Sequence, residues 1–269
     1  MPFMRKFLKL RGEIVRLRSH DMIHVMRKML VRRWRLSSLA GALLVAVVLP
    51  SIGMREESTA QSTAASMPRN LGDLKQEITE YKRSGGYDRD VEAVLGNAQA
   101  YVMRRAPLVR KPAIVLDIDE TSLSNWPEIQ ANDYGRFTNG PCILPAGPCG
   151  SASWVGSAQA EPILPTLALF RAAKTKGVSV FFITGRSETA REATESNLHK
   201  AGYDGWSALI MRPAGTSTPS ASDYKAPERV KIAIQGFTII ANIGDQPSDL
   251  AGGNAERTYL VPNPFYRIP

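Results

Sequence analysis

Two aspartates separated by one residue come directly after a short apolar run. Asp117 and Asp119 follow Ala113–Leu116, in the segment Asp-Ile-Asp-Glu-Thr. Burying two carboxylates on either side of an isoleucine would cost several kcal/mol without a counter-charge. An ordinary turn therefore explains the pair poorly, and we interpret it as part of a functional site.

Polar residues follow two later apolar runs in the same manner. Thr184 and Gly185 come after Val178–Ile183, and a pair of acids, Asp245 and Asp249, comes after the fourth run. The carboxyl ends of parallel strands meet at one edge of a sheet, which is where such folds bind ligands. These side chains should therefore converge in one crevice.

Several acids in one crevice require a cation. Carboxylates, carbonyls and water are the ligands that Mg²⁺ prefers, so we predict a magnesium site. Its ligands are the four acids of these motifs: Asp117, Asp119, Asp245 and Asp249. A histidine-rich binuclear site cannot be built, because the chain has only three histidines.

A carboxylate beside Mg²⁺ can attack phosphorus, because the ion reduces the repulsion between the anionic nucleophile and the anionic ester. Asp117 is placed for this role, and Asp119 can protonate the leaving alcohol and later activate water. Thr184 and the Gly185 amide would hold phosphoryl oxygens. A lysine should screen the covalent intermediate, and Lys225 is the best placed.

The two aspartates need different protonation states. Asp117 must be ionised to attack, whereas Asp119 must carry a proton to release the alcohol. Repulsion among the crowded acids is expected to raise the pKa of the second group, Asp119, and to place the optimum for activity on the acid side of neutral.

The elements that hold these residues are predicted from the apolar pattern. Apolar runs without polar alternation predict buried strands at 113–116, 178–183, 208–211, 237–240 and 258–261. Helical periodicity predicts two helices before the first strand, within 71–81 and 91–102, and later ones at 164–176, 187–201 and from Pro227 to Gly236. The result is an α/β fold, a doubly wound parallel sheet with helices on both faces.

Residues 126–160 form an insertion after the first strand, and we predict that they make a small cap over the site. Tyr134, Phe137 and Trp154 would stack on a nucleobase or aryl leaving group, or simply pack the insertion against the domain, which we favour. Cys142 and Cys149 enclose six residues with turn-forming prolines. A local disulfide is expected if the protein is exported.

The net charge of +9 does not indicate a nucleic-acid partner. Residues 1–36 hold 11 of the 34 Lys and Arg residues but only two acids, which leaves 23 basic and 23 acidic residues in the remainder. The body of the chain is therefore neutral, and the basic segment is typical of a targeting sequence.

An uncharged run, Leu39–Leu49, lies within the apolar segment 37–54 and is shorter than the ~20 residues that span a bilayer comfortably. We interpret it as a signal peptide, or as a signal anchor that would associate the protein with a membrane. The protein is then exported: periplasmic or secreted after cleavage, or membrane-anchored without it. The long stretch before Arg27 suggests that translation starts at Met26 or Met29.

Residues 55–69 are small and polar and are predicted to form a flexible linker, so the folded domain should span 70–269. In this domain the order of motifs, DxDxT, TGR, a lysine and GDxxxD, resembles the haloacid dehalogenase (HAD) superfamily. More narrowly, Val115–Asn125, Gly244–Leu250 and Leu260–Tyr266 are similar to its acid phosphatase branch, which holds bacterial class C enzymes and plant vegetative storage proteins.

The resemblance implies particular roles. Asp117 would be the phosphoaspartyl nucleophile, and Asp119 the general acid and base, whose main-chain carbonyl also binds Mg²⁺. Asp245 would be a direct Mg²⁺ ligand and Asp249 an outer ligand or orienting group. Asn125, at the end of the first motif, is assigned to substrate binding.

The context of the family's lysine is only partly matched, which leaves Lys231 as an alternative to Lys225. The expected function is an exported, Mg²⁺-dependent acid phosphatase acting on small phosphomonoesters. The alternative is a catalytically weak storage or binding protein on the same fold. Retention of Asp117 favours the enzyme, and Asp119 favours phosphoryl transfer over dehalogenation.

Overall fold

The computed structural model describes residues 68–216 and 220–269. The predicted targeting segments, 1–36 and 37–54, and the predicted linker up to residue 67 lie outside the described residues. Within the part that is described, no helix combines the length and the apolar character that crossing a membrane requires.

The described residues contain seven strands and eight α-helices. The strands are β1 (Pro112–Leu116), β2 (Leu123–Ser124), β3 (Glu161–Pro162), β4 (Ser179–Ser187), β5 (Ala208–Arg212), β6 (Thr238–Gly244) and β7 (Arg257–Leu260). The helices are α1 (Leu71–Arg83), α2 (Gly86–Arg105), α3 (Trp126–Ala131), α4 (Ser151–Ser157), α5 (Leu164–Thr175), α6 (Arg191–Lys200), α7 (Ala221–Ile234) and α8 (Pro247–Leu250).

Five strands form one parallel sheet in the order β5-β4-β1-β6-β7. The chain runs from the central β1 to β4 and β5, and then crosses back to β6 and β7 on the other side. Strand order therefore reverses beside β1, and the crevice at its carboxyl end is where such sheets bind ligands. The predicted doubly wound parallel sheet is confirmed.

Alternate residues of β1 enter different cores. Ile114 and Leu116 pack in the larger apolar cluster, which includes residues of α2 and α5. Ala113 and Val115 pack on the opposite face, with Ile232 of α7. Because both faces of the strand are covered, its sequence is apolar without alternation.

Helix α7 begins earlier than the sequence predicts. It starts at Ala221 rather than after Pro227, so Lys225 lies inside the helix and not before it. The start is fixed by Ser220, whose side chain accepts the Ser222 N–H at 3.2 Å while Asp223 Oδ2 accepts the Ser220 N–H at 3.1 Å. Pro227 removes one backbone hydrogen bond and its ring crowds the carbonyl four residues earlier, but the capped helix continues through it.

The insertion, residues 126–160, is closed at its base by the antiparallel pair of β2 and β3. It holds α3, α4 and a hairpin joined by the predicted disulfide between Cys142 and Cys149. The Asn132 amide holds this hairpin, donating to the Cys149 carbonyl at 2.8 Å and accepting the Cys149 N–H at 2.7 Å. The insertion is therefore a small ordered unit.

Glu256, the residue before β7, connects this edge strand to α2. Its carboxylate accepts two hydrogen bonds from Arg105, at 2.7 and 2.8 Å, and one from the Tyr101 hydroxyl at 2.7 Å. The hydrogen bond from Arg105 lowers the pKa of Glu256, and this exceeds the opposing effect of burial. The carboxylate form is therefore favoured in the folded state.

We expect Glu256→Gln to lower the melting temperature at neutral pH, because the charged contact between α2 and β7 is lost. A carboxyl whose pKa is depressed by folding stabilises above its unfolded pKa, about 4.3, and this contribution disappears as pH falls through the folded value. The difference from the wild type should therefore shrink below about pH 4. Glu92→Gln, an exposed change on α2, is the control; an equal effect of both variants at every pH would contradict the role of Glu256.

Candidate active site

Asp117 is the first residue after the central strand β1, and it is 5% exposed. Its main chain is held on both sides, since its N–H donates to the Ile243 carbonyl of β6 at 3.0 Å and its carbonyl accepts the Ser122 hydroxyl at 2.6 Å. The carboxylate thus has a fixed position at the carboxyl edge of the sheet.

Lys225 of α7 supplies the counter-charge. Its ammonium donates to Asp117 and, at 2.6 Å, to Asp249, and all three side chains are buried. Burial raises the pKa of Asp117 well above its usual value, with Lys225 acting in the opposite direction. Burial alone would lower the pKa of Lys225, but the two carboxylates raise it overall. Lys231 is exposed and donates to Glu228 at 2.7 Å, so the structure places Lys225 and not Lys231 in the site.

The donor set suits a hard cation. Asp117, Asp245 and Asp249 each offer an oxygen within 4.8 Å of the other two. Burial, followed by the charge of Asp249, raises the pKa of Asp245 to about 7. Six carboxylates and four cationic side chains line the cavity above the site. A divalent cation would balance the excess of two carboxylates, and carboxylate oxygens are ligands that Mg²⁺ prefers.

The neighbours of Asp245 hold one of its oxygens. Oδ2 accepts the side-chain amides of Gln246 and Asn263, both at 2.6 Å, whereas Oδ1 has only a 3.3 Å contact with the Thr121 hydroxyl. Oδ1 is therefore the oxygen that is better placed to bind an ion. Gln246 and Asn263 were not predicted as site residues, although Asn263 lies in a segment that the family resemblance includes.

The loop that carries Asp249 is fixed to both β6 and α7. A side chain at Gly244 would meet that of Asp249, with Cβ atoms 2.5 Å apart, so glycine is needed there. Arg229, fully buried on α7, donates to the Asp249 carbonyl at 2.8 Å and to the carbonyls of Ala251 and Gly253. Helix α7 thus positions Asp249 through Arg229 and contacts its carboxylate through Lys225.

Asp119 lies apart from the acid cluster and pairs with Arg186. The guanidinium donates to Asp119 Oδ1 at 2.7 Å from Nη2 and at 3.1 Å from Nε, and Asn125 donates to the same oxygen at 2.9 Å. Burial raises the pKa of Asp119, but Arg186 and Asn125 lower it overall. The expectation of a raised pKa is therefore wrong, because the sequence did not reveal the ion pair with Arg186.

Glu120 is a buried carboxyl that the sequence did not single out. Its backbone is left-handed, with φ of 52°, and its side chain accepts the Asn125 N–H at 2.6 Å and the Tyr266 hydroxyl. Burial, followed by the charge of Asp119, raises its pKa to about 7. Asn125, assigned to substrate binding, also accepts the Trp154 indole N–H at 2.7 Å. Asn125 therefore links the carboxyl groups of the first motif to the insertion.

Thr184 and Gly185 lie within β4, which continues past the predicted end to Ser187 with a shift in register. Gly185 is exposed and lines the cavity. Thr184 is fully buried, its hydroxyl accepts the Arg186 N–H at 3.1 Å, and it is not among the described residues that line the cavity.

A cavity of about 820 Å³ opens above these groups, and residues of the insertion form part of its lining. The predicted placement of the insertion over the site agrees with this lining. Tyr134 lines the cavity. Trp154, in α4 of the insertion, is buried in the larger apolar cluster, and Phe137 is exposed and does not belong to the cavity lining. Packing of Trp154 matches the interpretation that we favoured from the sequence.

Acids and a lysine at the carboxyl edge of a doubly wound parallel sheet, under a small insertion, define a HAD-type fold and site. The family model of the HAD superfamily, subfamily IIIB (acid phosphatase), matches residues 53–269, and the chain belongs to this family. It is accordingly a phosphomonoester hydrolase of the acid phosphatase type, with small phosphate esters as its substrate class.

Similar proteins come from plants and bacteria. The stem 28 kDa glycoprotein of Glycine max is 36% identical over 70% of this chain and 72% of its own length. Acid phosphatase 1 of Solanum lycopersicum is 32% identical over 71% of this chain and 73% of its own length. Vegetative storage protein 1 of Arabidopsis thaliana is 30% identical over 68% of this chain and 66% of its own length. The tungstate-bound class C acid phosphatase of Bacillus anthracis is 21% identical and superposes with a TM-score of 0.58. The superposition covers 72% of this chain and 86% of the bacterial chain, which shows that the folds are alike.

We expect Lys225→Met to destabilise the protein by about 3–5 kcal/mol at neutral pH, because two carboxylates lose their buried counter-charge. The matched control is Lys231→Met on the same helix, which should change the free energy of unfolding by no more than about 0.5 kcal/mol. Urea denaturation measures both. Equal stability of the two variants would contradict the buried ion pair.

Proposed function

We propose that this chain is an exported, Mg²⁺-dependent acid phosphatase that hydrolyses small phosphomonoesters through a phosphoaspartyl intermediate on Asp117. The observation that carries the proposal is the position of the Asp117 carboxylate. It lies at the strand-order reversal, beside Lys225 and two further buried acids, under a cavity large enough for an ester. A purely structural ion pair would not need three clustered acids.

In the first step an Asp117 oxygen attacks phosphorus. The bond from phosphorus to the ester oxygen breaks, and the leaving alcohol takes a proton from Asp119. Lys225 would offset the negative charge around the acyl phosphate, and the Gly185 amide would hold a phosphoryl oxygen, which the position of Gly185 in the cavity lining supports. Thr184, predicted as a further phosphate contact, is fully buried, so in this proposal it orients the main chain of Arg186 through its hydroxyl.

In the second step water attacks the phosphorus of the acyl phosphate. Asp119, now ionised, accepts the proton of the water, inorganic phosphate leaves, and the Asp117 carboxylate is restored. The contact with Arg186 favours the ionised form of Asp119, which suits this step. For the first step Asp119 must take up a proton, and its contact with Arg186 has to weaken.

Mg²⁺, when bound, reduces the repulsion between the carboxylate nucleophile and the phosphate dianion. Asp117 and Asp245 would hold it with their side chains, and Asp119 would contribute its main-chain carbonyl. Asp249 already accepts Lys225 and the Gln246 N–H, so we assign it an orienting role. Asp117 and Asp245 are assigned to the ion because each has a carboxylate oxygen that accepts no hydrogen bond shorter than 3.3 Å from a described residue, whereas both oxygens of Asp249 accept one.

Export is supported by the N-terminal sequence, in which a basic segment, residues 1–36, precedes an apolar segment, residues 37–54, as in a targeting sequence. The disulfide between Cys142 and Cys149 agrees with it, because disulfides persist in oxidising compartments.

A storage or binding role on the same fold is the second candidate, and the similarity to a vegetative storage protein favours it. Asp117, Asp119 and Lys225 are all present and buried or paired in this chain, which supports catalysis.

We expect Asp117→Asn to abolish turnover and the trapping of phosphate on the protein. Asp119→Asn should slow turnover by about 10²–10⁴-fold, as for loss of a general acid. Steady-state kinetics and acid-quench trapping measure both. Asp133→Asn, an exposed acid of the insertion, removes the same charge and should leave turnover unchanged. Full activity of Asp117→Asn would exclude the mechanism.

We also expect chelation to silence the wild type and added Mg²⁺ to restore it. Titration calorimetry should show that Asp245→Asn weakens Mg²⁺ binding by about tenfold or more. Asp204→Asn, at an exposed acid outside the cavity lining, should bind as the wild type does. Equal Mg²⁺ affinity of wild type and Asp245→Asn would remove Asp245 from the ion site.

A further inference from the structure

The cavity holds cationic groups that the proposed mechanism does not use. Its lining includes four cations. Arg186 is paired with Asp119, and Lys225 is paired with Asp117 and Asp249. The remaining two, Arg136 and Arg212, have no carboxylate partner among the described residues.

Arg212 is held in a defined orientation. It is the last residue of β5, it is half-buried, and its Nε donates to the Gly185 carbonyl at 3.1 Å. A second nitrogen, Nη1, donates to the Thr216 carbonyl. Both contacts are to neutral carbonyl oxygens, so no carboxylate of the described residues neutralises the Arg212 guanidinium at the cavity lining.

Arg136 lines the cavity from the insertion, whereas Arg212 lines it from the sheet. Arg136 lies between α3 and the disulfide hairpin, and it is exposed. Glu128, the one carboxylate that the insertion adds to the lining, accepts the Ser151 hydroxyl and forms no salt bridge with Arg136. Burial raises the pKa of Glu128 overall, and the nearby charge of Arg136 opposes this rise. Apart from the acids and cations of the site already described, the lining therefore carries two guanidinium groups and one carboxylate.

The volume leaves room for more than one phosphoryl group, since a cavity of about 820 Å³ is in the range of sites for whole small molecules. Guanidinium groups are suited to phosphate, because their planar donors bind two oxygens at once. We propose that Arg136 and Arg212 form a subsite for a second phosphate on the leaving alcohol, so that bisphosphorylated small molecules are preferred substrates. This rests on the proposed function.

In the reaction one ester phosphate is transferred to Asp117 and then to water, as in the proposed mechanism. The other phosphate stays on the alcohol, bound at the subsite while the first bond breaks. The products are inorganic phosphate and an alkyl monophosphate.

The test compares alkanediol bisphosphates with alkanediol monophosphates of three, four and six carbons, at fixed ionic strength with Mg²⁺. We expect kcat/KM of the wild type to favour the bisphosphate by about tenfold or more at one length at least, beyond the twofold statistical advantage of two equivalent ends. Arg136→Gln and Arg212→Gln should each lower this ratio. Because both substrates are measured on one preparation, the ratio does not depend on the folded fraction.

Arg110→Gln is the control, since it removes an exposed positive charge outside the cavity lining and should keep the ratio. If one variant keeps the wild-type ratio, the arginine that it replaces is not part of the subsite. The proposal is overturned if both variants keep the ratio, if the control lowers it equally, or if the wild type shows no preference at any length. Absence of hydrolysis of every substrate by the wild type would instead overturn the proposed function.

Discussion

The buried contact of Lys225 with Asp117 and Asp249 is the interaction on which the site depends. Two carboxylates within a protein interior are costly unless a positive charge lies beside them, and removal of that charge costs more than the pair itself contributes. The lysine has to arrive from an element that packs closely on the sheet edge. Helix α7 provides this, because its Ile232 is buried in one core while Lys225 and Arg229 reach the acid loop. Fold stability and site geometry thus share one helix.

Different partners divide the work between two aspartates of the same motif. Asp117 faces a lysine and two acids, and burial raises its pKa, whereas Asp119 faces Arg186 and has a lowered pKa. Such divergence of environment is how enzymes assign different roles to neighbouring carboxyl groups. A bound cation would add to the counter-charge of Asp117, and Asp245 Oδ1, which has only a 3.3 Å contact with Thr121, is free to bind that ion. The chemistry therefore depends on what each carboxylate meets rather than on its place in the motif.

The sheet and its acid-bearing edge could be predicted because they rest on local signals. Apolar runs without alternation identified the strands, and the position of Asp117 after the first run identified the site. Contacts between distant segments could not be predicted in this way. Arg186 meets Asp119 across 67 positions, and Tyr266 meets Glu120 across 146, so no spacing reveals either pair. The start of α7 was missed because Pro227 is a strong local signal that the capping residues outweigh.

The most direct test of the account is the stereochemical course of hydrolysis at phosphorus. A thiophosphate monoester made chiral with oxygen isotopes would be hydrolysed in isotopically labelled water, and the configuration of the product determined. Attack by Asp117 followed by attack of water gives two inversions, so the account predicts net retention. Net inversion would show that water displaces the alcohol directly, and it would contradict the phosphoaspartyl intermediate on Asp117.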